Sequence, residues 1–167
     1  MQYTTAITTR FHCSIERAFK TPMLCDVTKV HTGYLLMPRV THCTEDETWG
    51  KINGSRKVFM ARNFYFKGGE AALDKVLERI ENKYWKIEIS DFKYWAMGFT
   101  KFQGEWLTRE NTDETIEVRY VYTLFSNAIF AYPFHWFITK IIWRTYMKHV
   151  LHNVQQLAYN NAPYLHE

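Results

Sequence analysis

The C-terminal third of the chain carries the strongest constraint. From Phe134 to Tyr159 there is neither proline nor glycine, and Pro133 suits a first helical position. Phe137, Ile138, Ile141, Ile142 and Thr145 share one face of such a helix. Met147, Val150, Leu151, Val154 and Leu157 carry the apolar stripe onward. A helix of about 26 residues is ~39 Å long at 1.5 Å per residue, enough to lie across a whole sheet. An apolar stripe must be buried against another layer.

The preceding residues supply that layer, because their hydrophobic period changes to two. Ile116, Val118, Tyr120, Tyr122 and Leu124 alternate with Glu117, Arg119, Val121 and Thr123. Trp85, Ile87 and Ile89 alternate with Lys86, Glu88 and Ser90. Near the start, Ile7, Thr9, Phe11 and Cys13 alternate with Thr8, Arg10 and His12. One face is apolar and one wet, as in an antiparallel sheet covered on one side. Asn53-Gly54, between 48–52 and 55–60, is a strong hairpin signal, because a type I′ turn needs positive φ at both residues. Gly68-Gly69 and Asn111-Thr112-Asp113 mark further turns. Ser14 reads as an N-cap for a short helix from Ile15, with Pro22 stopping or kinking it. A second short helix is expected around 24–30. One stretch conflicts with the sheet: Leu73, Val76, Leu77 and Ile80 are spaced i, i+3, i+4, i+7, a helical pattern. The fold class is therefore α+β, within one domain over 1–167, since domains run to about 100–200 residues.

Composition removes several function classes. With 47% hydrophobic residues and no low-complexity tract, disorder is not expected. Cys13, Cys25 and Cys43 form no CxxC pair, so neither a disulfide framework nor a zinc motif is readable. They read as reduced thiols of a cytoplasmic protein. The first residues carry no basic-then-apolar leader, and no run of about 18 apolar residues suggests a membrane span. The formal net charge of +4 is uneven. Residues 118–166 hold Arg119, Lys140, Arg144 and Lys148 and no Asp or Glu. That is too sparse for a nucleic-acid footprint, so no nucleic-acid partner is expected.

Chemistry-bearing motifs are few. No GxSxG, HExxH, P-loop or GxGxxG occurs. His149 and His152 sit at i, i+3 on the long helix, and His42 falls in an expected strand, but no third ligand joins them, so no metal is expected. His149 is the one weak candidate for a general base, beside the plainer reading of a surface or hydrogen-bonded histidine. Carboxylates on the strands alternate with apolar residues and read as the solvated face.

The order of strand, two short helices, antiparallel hairpins and one long helix resembles the helix-grip fold of the START/Bet v 1-like superfamily. This superfamily includes the polyketide cyclase/dehydrase and lipid-transport families. The resemblance covers almost the whole chain. It rests on Phe11-His12-Cys13-Ser14-Ile15-Glu16-Arg17-Ala18-Phe19, on Gly68-Gly69 followed by Val76-Leu77-Glu78-Arg79, on Trp85-Lys86-Ile87-Glu88-Ile89, and on Gly104-Glu105-Trp106. It implies a curved sheet of about seven strands around the C-terminal helix, with 70–81 as a strand despite its helical pattern.

The resemblance further implies a cavity between sheet and helix for a hydrophobic or amphipathic small molecule such as a lipid, isoprenoid or polyketide-like compound. Trp85, Ile87, Trp106, Tyr120, Tyr122, Phe137, Ile138, Ile141, Ile142 and Thr145 are its candidate lining, with no cofactor. A dry cavity of about 300 Å³ would cost on the order of 7 kcal/mol, so it must hold ligand or water or be filled by side chains. Three roles stay open: a carrier or sensor, a cyclase, dehydratase or hydrolase in the same cavity, or an interaction module plugged by aromatic rings. The nearly apolar stretch 128–137, beside Lys140, Arg144 and Lys148, reads either as a peripheral membrane-contact lip or as a buried loop with a solvated basic face.

Overall fold

The computed structural model describes residues 1–94 and 96–166, with the backbone alone at Ile129. Seven strands form one antiparallel sheet: β1 (Gln2–Phe11), β2 (Val40–Glu45), β3 (Ser55–Met60), β4 (Gly69–Ile80), β5 (Tyr84–Ser90), β6 (Phe99–Glu110) and β7 (Ile116–Ser126). Their order is β1-β7-β6-β5-β4-β3-β2, so the first two strands of the chain form opposite edges. The connection between them carries α1 (Ile15–Leu24) and α2 (Val27–Val30). After β7 the chain runs through a 3₁₀ turn (Ile129–Ala131), α3 (Tyr132–Phe137), a π-helical segment (Ile138–Trp143) and α4 (Arg144–Tyr159). Phe137, Ile138 and Arg144 all keep right-handed helical backbone angles, so the run from 132 to 159 is continuous. This is the long helix expected from the sequence. It packs against α1, α2 and β1.

The alternating strands behave as their period requires. Val118, Tyr120, Tyr122 and Leu124 are buried, and Tyr3, Thr5 and Phe11 are the buried odd positions of β1. All of these but Thr5 form, with Phe19, Trp85, Trp106, Met147, Val150 and Val154, one core between the sheet and the helices.

Residues 70–81 are a strand. Its register against β3 and β5 puts Ala72, Asp74 and Val76 on the buried side. Pairing with β3 over 69–75 and with β5 over 73–80, interrupted by bulges at Ala71 and Leu77, gives the backbone partners that a lone helix would have supplied internally, which is how tertiary context overrides local propensity.

Two expectations need correction. Residues 48–52 are not a strand. The β2–β3 connection is a looped turn over 46–54, organised by Asp46, which accepts from the Thr48 and Ser55 amides at 2.9 and 2.7 Å. It also accepts from both hydroxyls. Asn53 does adopt positive φ, within that turn. Ser14 caps α1 as expected, accepting from the Arg17 amide at 3.3 Å, but Pro22 does not end the helix. Proline lacks the N–H that would bond the Ala18 carbonyl four residues back. The Trp106 indole supplies the missing donor, giving its Nε1–H to the Ala18 carbonyl at 3.0 Å. Trp85 donates likewise to Phe19 at 2.9 Å, and Trp49 to Met23 at 3.1 Å. Three buried tryptophans thus tie α1 down by its own carbonyls.

Candidate functional site

Between the sheet and the helices lies a cavity of about 90 Å³. Its walls come from β2–β7, α1, α2, the connections after α2 and β5, and the π segment with α4. Drug-sized sites run to about 300–1,000 Å³, so aromatic side chains fill most of the space between the layers. Left dry, this void would cost only about 2 kcal/mol at ~24 cal/mol per Å³. Gly104 sets part of its shape: a Cβ there would lie 2.9 Å from Cζ of Tyr122, so only hydrogen leaves that ring its place.

The apolar wall contains one ion pair. Arg56 on β3 donates from Nε to Oδ2 of Asp74 on β4 at 3.0 Å, with 4% and 7% of their side chains exposed. The guanidinium lies 3.9 Å from the ring centroid of Trp49, which supplies a cation–π contact on its face. Burial raises the Asp74 pKa against the opposing pull of Arg56. Among the described residues, neither Nη of Arg56 meets a protein acceptor, and Arg56 belongs to the cavity wall.

Tyr94, Tyr120, Tyr122 and Tyr146 share that wall. Burial raises the pKa of all four, so each hydroxyl keeps its proton. The Tyr146 hydroxyl is 2.7 Å from Nδ1 of His31. Burial, helped by the Arg56 charge, lowers His31 to about 3 and keeps the imidazole neutral at pH 7. Trp143 stands between Phe102, Tyr122 and Tyr146 at centroid distances of 4.8, 5.1 and 5.3 Å. Its buried Nε1–H has no acceptor among the described residues. The arrangement is an aromatic slot with a cation, a carboxyl and several neutral donors in its wall. It suits a molecule with an apolar body and a polar end.

Of the residues singled out from sequence, Trp85, Ile87, Trp106, Tyr120 and Tyr122 line this cavity. The indole N–H groups of Trp85 and Trp106 are already committed to α1, so these rings offer faces only. Ile138 is buried in the core outside the cavity wall, and Ile142 is half-buried against the core. Thr145 donates its hydroxyl to the Ile141 carbonyl at 2.7 Å. Phe137 and Ile141 face out, 48% and 46% exposed. The reason is the π segment, whose i→i+5 bonding advances fewer degrees per residue than the 3.6 period used to place these positions. Trp143, Tyr146 and Val150 reach the cavity instead.

His149 is half-buried, its Nε2 2.8 Å from the Thr32 hydroxyl and its ring stacked 4.9 Å from Tyr34. It is not among the residues lining the cavity. His152 is exposed, and His42 stacks on Phe59 at the β2 edge. Sequence reasoning missed Arg56, Asp74, His31, Tyr94, Trp143 and Tyr146. Asp74 corrects the reading of strand carboxylates as the wet face. Its only sequence signal was the period-two placement of Ala72, Asp74 and Val76, which the helical pattern of the same stretch obscured. The loop reading of 128–137 as buried is also corrected, since Phe130, Tyr132, Phe134 and Trp136 are exposed. No helix among the described residues is long and apolar enough to cross a membrane.

No protein-family model matches the sequence, and no curated protein matches it. Solved structures do. Ara h 8.0201 superposes with a TM-score of 0.70 at 13% identity, over 96% of this chain and 99% of that one. A Staphylococcus aureus protein of unknown function reaches 0.73 at 11% identity, over 96% of each chain. Norcoclaurine synthase from Thalictrum flavum, in complex with dopamine and hydroxybenzaldehyde, reaches 0.69 at 9% identity, over 98% of this chain and 90% of that one. The seven-stranded antiparallel sheet, the paired short helices after β1 and the long C-terminal helix make the helix-grip, Bet v 1-like fold, and these neighbours match it over nearly the whole chain.

Proposed function

We propose that this protein binds a small amphipathic molecule in the cavity between the sheet and the C-terminal helix. The ligand's apolar, ring-sized body lies among Trp85, Ile87, Trp106, Tyr120 and Tyr122, and its acidic or carbonyl end meets Arg56 and the tyrosine hydroxyls. The observation that carries this reading is the buried Arg56–Asp74 pair in a wall otherwise dominated by apolar and aromatic side chains. Replacing a buried ion pair by well-packed apolar residues is often neutral or stabilising, so packing alone gives little reason for one here. A guanidinium with both Nη atoms unengaged gives the reason: it is a preformed anchor for an oxygen-bearing head group. The small volume favours a single-ring compound over a long-chain lipid, which would have to push several rings aside. One fold neighbour holds two small aromatic compounds, which agrees in scale.

A turnover role has less support. His31 is the cavity histidine, and a group lowered to about 3 is a weak base at neutral pH. We place the protein in the cytoplasm on its three unpaired cysteines.

Calorimetry with benzoate, 4-hydroxybenzoate and fatty acids of increasing chain length tests the proposal. Single-ring acids are expected to bind the wild type, and Arg56→Met to weaken them about tenfold or more, the value of a charged hydrogen bond. Binding of neither class, or binding unchanged by Arg56→Met, sinks it.

A further inference from the structure

The segment from Phe130 to Ile141 is the largest apolar feature the core does not absorb. Phe130 is 100% exposed, Tyr132 49%, Phe134 44%, Trp136 46%, Phe137 48% and Ile141 46%. This is not a frayed end. His135, between the exposed rings, is 1% exposed, with Nε2 2.9 Å from the Met97 carbonyl and its ring 4.4 Å from Phe99. Gly98 leaves His135 its place, since a Cβ there would lie 3.0 Å from Nε2. Ile138 and Thr139 are also buried, at 3% and 0%. The segment is nailed down on its inner side and presents rings on its outer side. Exposed apolar patches of this kind mark interaction surfaces.

We infer that this face docks the protein on an anionic lipid surface. Phe134, Phe137 and Ile141, spaced i, i+3, i+7, form the outer stripe, and exposed Arg144 and Lys148 continue along the same helical run. No ion pair among the described residues uses Lys140, Arg144 or Lys148. No Asp or Glu occurs anywhere in 118–166. Lys140 reaches back to the Thr4 carbonyl at the base of the lip. Aromatic rings flanked by unpaired cations match the head-group boundary of a negatively charged bilayer: rings enter the interface and cations meet lipid phosphates and carboxylates. A second copy of the chain fits less well. A two-fold contact through this face would bring Arg144 and Lys148 towards their own images, with no carboxylate in the segment to offset them. Trp143 and Tyr146, on the same helical run, belong to the cavity wall, so docking would also hold the cavity close to the bilayer. The inference rests on the exposed face alone and stands whether or not the cavity proposal does.

Vesicle co-sedimentation of the full chain tests it, using phosphatidylcholine alone and phosphatidylcholine with about 30% phosphatidylserine, at about 50 and 500 mM salt. The wild type is expected to bind the anionic vesicles at least tenfold tighter than the neutral ones and to lose binding at high salt. The pair Phe130→Ser with Phe137→Ser, and separately Arg144→Glu with Lys148→Glu, should each cost tenfold or more while leaving Tm nearly unchanged. Absence of anionic-vesicle binding at low salt overturns the inference, as does binding indifferent to both pairs. If light scattering instead shows a dimer that the Phe130/Phe137 pair abolishes, without vesicle binding, the face belongs to a second copy and the inference is wrong.

Discussion

Trp85 and Trp136 are the same residue in opposite surroundings. Trp85 is 1% exposed, stacked 5.0 Å from Phe19, and gives its indole N–H to the Phe19 carbonyl. Trp136 is 46% exposed, on the same outer side as the exposed rings of Phe134 and Phe137. The contrast extends to their regions. In the cavity region each ring is held by another ring or by a carbonyl of α1, and the buried cation Arg56 is paired with Asp74. At the lip the rings face out and the nearby cations have no carboxylate partner among the described residues. A surplus of aromatic residues is therefore not one property. Rings facing the sheet's inner side hold the fold together and shape a slot, whereas rings on the outer side of the helix entry should contribute far less to folding. Stability measurements should separate the two regions cleanly.

The largest effect is expected in the cavity. Asp74→Leu leaves the Arg56 cation buried without its partner and should cost about 3–5 kcal/mol in urea denaturation. Arg56→Met should cost less, because the remaining Asp74, whose pKa burial already raises, can take up a proton. Equal losses from the two single variants would break this account. Next comes the tie between sheet and helix. Trp106→Phe orphans the Ala18 carbonyl and should cost about 1–3 kcal/mol on that ground alone, with lost packing added. Pro22→Ala restores a backbone N–H four residues after Ala18, so in that background Trp106→Phe should cost measurably less. Simple additivity in this double-mutant cycle would show that the indole bond does not replace the helix bond. The smallest effect belongs to the lip. Phe130→Ser and Phe137→Ser should each move stability by about 0.5 kcal/mol or less, as surface substitutions do. A loss of several kcal/mol from either would mean that the lip is part of the core and would erase the comparison.

Much of this was legible in one dimension. The alternation of 116–124 and 85–90 announced inward and outward faces, and the inward residues lie where the period puts them, while Val121, expected on the wet face, is buried. The long helix was readable from its lack of breakers and its stripe. Half of the ten residues expected to line the cavity do so, since Trp85, Ile87, Trp106, Tyr120 and Tyr122 sit on those strands or their neighbour β6. The rest was hidden for identifiable reasons. A π segment changes the angular step in mid-helix, so Phe137 and Ile141 turned out to face water and Trp143 and Tyr146 the cavity. The stretch 70–81 fits a helical template, and only pairing with β3 and β5 turns Asp74 inward beside Arg56.

By itself the sequence determined the fold class, the single sheet, the long helix that covers it and the abundance of rings between them, because hydrophobic period and helix breakers act locally. Only the tertiary structure decided which rings fill the interior and which meet solvent, and that a proline inside a helix is tolerated because a distant tryptophan supplies its missing donor. Only it placed an ion pair in the cavity wall. These depend on strand register and on the rotation of a helix about its own axis, and both are settled by contacts between residues far apart in the chain.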